Sequence, residues 1–122
     1  RDTLERRIGE LARGLAAAHG CSAVVEYDRR YPATCNHPAQ TEIAGDAAAD
    51  IVGSGRLERN TAPLMGSEDF SYMLEEKPGA YIMLGTGGAH AVHTPLYDFN
   101  DRVLLTGAAY WVRLVERELG IG

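Results

Sequence analysis

The chain has 122 residues, 45% hydrophobic and 24% charged, with a net charge of -5. That composition belongs to a globular protein of one domain or pieces of two. It speaks against nucleic acid or a membrane as main partner, since there is no concentrated basic surface and no apolar run near the roughly 20 residues that span a bilayer. Cys21 and Cys35 are too few for a disulfide scaffold and have no metal-ligand spacing, so free cytoplasmic thiols are expected. The chain opens on Arg1, already inside a helix start, so it is expected to be a fragment of something longer.

In chain order, residues 3–19 predict a helix, with Leu4, Ile8, Leu11, Leu15 and Ala18 on one apolar stripe. Asp2 and Glu5 have the spacing of a capping box, and Gly20 fits a left-handed C-terminal residue. Residues 21–31 alternate imperfectly, as a strand with one buried face would. The proline-flanked run Y-P-A-T-C-N-H-P (31–38) reads as a crossover between two domains.

A second helix is expected over 37–52, capped by Asn36, with Pro38 in its first turn and an alanine-rich face suited to close contacts. Residues 57–65 carry a weaker pattern, with a short strand at 62–65. A third helix starts at Ser67, its expected cap, and stops near Lys77 before Pro78 and Gly79. The apolar run 80–84 suits a strand buried on both faces of a parallel sheet. The loop 85–101 follows, G-T-G-G-A-H-A-V-H-T-P-L-Y-D-F-N-D. The last helix covers 102–119, capped by Asn100 or Asp101, with Leu104, Ala108, Trp111 and Val115 inward and Gly120 as its stop.

Chemistry concentrates in two places. His90 and His93 lie in the glycine-rich loop, where a histidine serves either as ligand or as a hydrogen-bonding partner of the loop backbone. Pro95 restricts the backbone beyond His93, and a metal ligand needs a fixed backbone and an orienting partner for its other ring nitrogen. Asp98 and Glu68 are candidates for that partner; each is otherwise a turn residue or a helix-dipole stabiliser. The second place is the start of the third helix. The free N–H groups of residues 66–69 form an anion site to which Gly66 gives close approach and Ser67 a hydroxyl, though Glu68 and Asp69 would oppose an anion. His19 and His37 are expected on the solvated surface.

Three blocks resemble one family: M-G-S-E-D-F-S-Y-M (65–73), P-G-A-Y-I-M-L-G-T-G (78–87) and H-T-P-L-Y-D-F-N-D (93–101). In order and spacing they are similar to the C-terminal end of the hippurate hydrolase type of metal-dependent amidohydrolase. This type belongs to the aminoacylase and zinc carboxypeptidase superfamily, which includes auxin-conjugate hydrolases and N-acetyl-diaminopimelate deacetylase. The 31–38 run resembles the family's return from its lid domain. The resemblance implies an α/β fold: a partial catalytic domain at 34–122, with parallel-type strands and flanking helices, preceded at 1–33 by the helix-and-strand half of an α+β lid that dimerises.

The resemblance further implies hydrolysis of the amide bond of small N-acyl amino acids by two divalent ions (Zn, Mn, Ni or Co) and a glutamate base. His93 falls on the family's last metal ligand, and Gly66 and Ser67 fall where related enzymes contact substrate. The other ligands and the glutamate lie in a first half that is not in this chain. The expectation is therefore a fragment inactive by itself, without tightly bound metal, and associating through the lid helix and strand. The alternative is a non-catalytic binding or assembly module derived from the same fold.

Overall fold

A computed structural model describes residues 1–121. The chain divides into two compact units, one of Arg1–Arg30 and one from Tyr31 onward.

In the first unit, helix α1 spans Asp2–Ala18. Its start differs from the expected capping box. Arg1 occupies the cap position but makes no side-chain capping bond to the helix start, and Asp2 and Glu5 both reach Arg29, the Asp2 contact being 2.7 Å. A guanidinium that takes two carboxylates outcompetes a single backbone N–H for each of them. The end is as expected. Gly20 has φ +69°, and Gly20 and Cys21 donate to the carbonyls of Ala17 and Ala16 at 3.0 and 2.8 Å. The apolar stripe has nothing to lie against in this unit: Leu4, Ile8, Leu11 and Leu15 are all exposed. The helix buries only Gly9, over which the Arg13 side chain lies.

The second unit contains α2 (Pro38–Val52), α3 (Phe70–Glu76) and α4 (Leu104–Leu119), with 3-10 turns at Ser54–Arg56 and Asp101–Val103. Helices α2 and α4 pack together, and the small residues Ala44 and Ala47 permit the approach, Ala47 being 0% exposed. Tyr110 of α4 and Leu74 of α3 complete the apolar core. An ion-pair network borders the helix pair: Asp50 takes Arg113 and Arg117 at 2.7 and 2.8 Å, while Asp46 takes Arg117 and Arg59 at 3.2 and 2.6 Å. These groups are a third or more exposed, so each pair alone adds little. Gly120 ends α4 in the left-handed region, at φ +63°.

Three expectations need correction. Among the described residues there is no strand; 21–31, 62–65 and 80–84 run without a ladder, because a strand exists only against a partner and none is present. Helix α3 starts two residues late, with Asp69 rather than Ser67 at its cap position. The buried side of α4 centres on Tyr110, whereas the expected inward residues Leu104, Trp111 and Val115 are exposed. Helix α4 is apolar on two sides, and spacing alone did not choose between them. Among the described residues no helix is long and apolar enough to cross a membrane.

Candidate functional site

The loop 86–100 leaves the apolar run and returns to α4. Asn100 closes its base: its side-chain amide donates to the Thr86 carbonyl at 2.7 Å, while its oxygen accepts from the Arg102 N–H at 3.2 Å and starts the 3-10 turn. Within the loop, Thr94 Oγ1 donates to the Ala91 carbonyl at 3.0 Å and the Tyr97 N–H to the Thr94 carbonyl at 3.1 Å. His93 sits on this turn at φ +66°, the one positive-φ residue other than glycine among the described residues. A side chain in the left-handed region is uncommon, and such strain collects where a side chain must be presented in one direction. His93 is exposed. Among the described residues neither its ring nor that of His90 makes a hydrogen bond or ion pair, and none joins Asp98 to His93.

The first N–H groups of α3 are engaged by the chain itself. The N–H groups of Phe70 and Ser71 are taken by Glu68, through Oε1 and the carbonyl, each at 3.2 Å, and that of Tyr72 by the Asp69 carbonyl at 3.0 Å. The anion site was expected on the N–H groups of residues 66–69, which lie ahead of these. Gly66 and Ser67 precede this turn and are exposed. Glu68 is half-buried and bound on both oxygens, Oε2 accepting from the Tyr81 hydroxyl at 3.1 Å. The Phe70 N–H and then the Asp69 and Tyr81 side chains hold its carboxyl below the usual glutamate range. The bond and charge of Glu68 in turn push the neighbouring Asp69 carboxyl up. Both Glu68 oxygens are thus spent on the turn into α3, and among the described residues no hydrogen bond joins Glu68 to His93.

Three residues that matter here escaped the sequence reading. Asn36 does not cap α2. Its amide donates to the Tyr81 carbonyl and its oxygen accepts the Tyr81 N–H, both at 2.8 Å. His37 is not solvated but half-buried. Its backbone N–H donates to the Gly79 carbonyl at 3.0 Å, and the Gly79 N–H donates back to the ring Nδ1 at 3.2 Å. The third is Tyr81, whose phenol in an otherwise apolar run needed a polar partner and was the available signal.

A metal centre requires several donors in one place, about three protein ligands for a catalytic zinc. Among the described residues no three His, Cys, Asp or Glu side chains converge. The donor set of the described residues does not make a site; the loop offers two unengaged imidazoles, His90 and His93, of which only His93 stands on a left-handed backbone.

The sequence profile of peptidase family M20/M25/M40 matches residues 5–117. The chain is 33% identical over 113 residues to a putative amidohydrolase, YhaA, of Bacillus subtilis, covering 88% of this chain and 28% of that protein. It is 30% identical over 119 residues to the hippurate hydrolase of Campylobacter jejuni, covering 98% and 31%. It is 36% identical over 114 residues to the IAA-amino acid hydrolase ILR1-like 2 of Arabidopsis thaliana, covering 87% and 26%. The chain thus spans under a third of the length of these relatives. No solved structure matches it. With a profile that runs almost from end to end, the chain belongs to peptidase family M20/M25/M40.

Proposed function

We propose that the chain is the C-terminal part of a metal-dependent amidohydrolase that cleaves the amide bond of N-acyl amino acids of the hippurate kind. One observation carries this reading: nearly the whole chain aligns with a hippurate hydrolase of which it covers 31%. His93 contributes one imidazole to a metal centre whose remaining donors lie outside this chain. Its unengaged ring and left-handed backbone support that role. Zinc, manganese, nickel and cobalt all accept an imidazole among oxygen donors. Gly66 and Ser67, exposed and not tied into α3, contact the substrate. Asp98 is the orienting candidate for His93. By itself the chain is inactive, since a single ligand neither holds an ion tightly nor provides a base. The exposed stripe of α1 supports association of copies through the first unit.

Hydrolysis of hippurate and a panel of N-acyl amino acids, measured on the 122-residue chain and on a full-length protein containing it, tests the reading. Turnover by the full-length protein alone, lost with a chelator and restored by a divalent ion, is expected. A full-length protein that cleaves none of the panel overturns the activity, and turnover by the chain alone overturns the fragment reading.

A further inference from the structure

The clasp around Tyr81 has no part in the chemistry proposed above, yet it connects three segments far apart in sequence. Residues 36–37 hold 79–81 by four hydrogen bonds of 2.8 to 3.2 Å. Two of them use the Asn36 amide as a strand backbone would use its own N–H and C=O. Tyr81 then passes the constraint on. Its hydroxyl binds Glu68 at 3.1 Å, and its ring packs on Phe70 with centroids 5.6 Å apart. Glu68 in turn fixes the N–H groups of Phe70 and Ser71. The segment that ends in Gly66 and Ser67 therefore enters α3 from a point set by Asn36, 30 residues earlier.

We infer that Asn36, His37 and Tyr81 are positioning residues that set the place of the Gly66–Ser67 segment, acting on it through Glu68. This rests on the reading of Gly66 and Ser67 as substrate contacts. A misplaced substrate segment weakens binding of the acyl amino acid, while His93, on another loop, keeps its role. The Tyr81–Glu68 bond has a charged acceptor, and losing a bond of that class weakens the dependent interaction by about tenfold.

The test uses the full-length hydrolase with two variants. Tyr81→Phe removes only the hydroxyl and keeps the ring on Phe70. Asn36→Asp keeps an acceptor for the Tyr81 N–H and loses the donor to its carbonyl. For each, KM, kcat and bound metal are measured, together with hydrogen exchange at the amides of Phe70, Gly79 and Tyr81. Tyr81→Phe is expected to raise KM about tenfold, leave kcat within about twofold and metal content unchanged, and speed exchange at Phe70. Asn36→Asp is expected to speed exchange at Gly79 and Tyr81 and to raise KM in the same direction. An unchanged KM in Tyr81→Phe overturns the inference, as does a fall in kcat and metal content at constant KM, which would mark a general loss of structure. If the unmodified protein hydrolyses no N-acyl amino acid, the proposed function fails, and hydrogen exchange alone judges the clasp: unchanged exchange at Phe70 in Tyr81→Phe overturns it.

Discussion

Two segments of the second unit are held in opposite ways. Around Tyr81, the polar groups of Asn36, His37 and Glu68 are engaged with nearby backbone or with one another. In the loop 86–100, Asn100 closes the base and two short bonds brace the turn, while His90, His93 and Asp98 make no hydrogen bond or ion pair among the described residues. The difference separates scaffold from site. Side chains committed to backbone cannot also bind a ligand without releasing it. An imidazole held outward on a left-handed turn, with both ring nitrogens open, is available to a donor set completed from elsewhere.

The contrast breaks most readily at His93. In the full-length protein, His93→Asn keeps a residue that tolerates the left-handed backbone but removes the imidazole. Turnover is expected to fall by more than about a hundredfold, with stability unchanged within about 0.5 kcal/mol, read by hydrolysis rates and thermal denaturation. Ala47→Leu serves as the opposite case, a change in scaffold alone. It forces a larger side chain into a contact that is 0% exposed between α2 and α4, and a loss of about 1–3 kcal/mol in denaturant unfolding is expected. Asn100→Asp sharpens the comparison, since it retains the acceptor for Arg102 and loses the donor to Thr86. With the loop base opened and the helix start kept, metal affinity is expected to weaken about tenfold, measured by competition with a chelator.

The smallest effect concerns the α2–α4 border. Arg113 and then Arg117 hold the Asp50 carboxyl below the ordinary aspartate range. A depressed folded value means that this contribution is fully present above the ordinary aspartate pKa and is lost as pH falls through the lower folded one. A pH series of unfolding midpoints should show a shallow acid-side decline that Asp50→Asn reduces. A series unaltered by Asp50→Asn would remove Asp50 from the explanation.

The sequence made the local features legible. The periodicity of α1, the start of α2 at Pro38 and the glycine stops at Gly20 and Gly120 depend on neighbours within a turn or two, and they stand as expected. What stayed hidden depends on distant partners. Asn36 read as a helix cap because nothing nearby says that its amide meets Tyr81, 45 residues on. The cap position of α3 moved from Ser67 to Asp69 because Glu68, tied to Tyr81, closes the turn first. The alternating run 21–31 and the apolar run 80–84 have strand patterns but no strand to pair with among the described residues. The site divided in the same manner: the loop placing His93 was readable from its glycines and Pro95, whereas which carboxylate would meet it was not. Glu68 faces Tyr81, and Asp98 makes no bond to His93.

The claim on which the rest depends is that this chain lends one imidazole to a metal centre completed by residues outside it. Counting bound metal per molecule by elemental analysis, in the purified full-length protein and in its His93→Asn variant, tests that most directly. The expected result is a well-loaded unmodified protein and a variant that is folded yet loses bound metal together with activity. A variant that keeps its full metal content and normal turnover would contradict it.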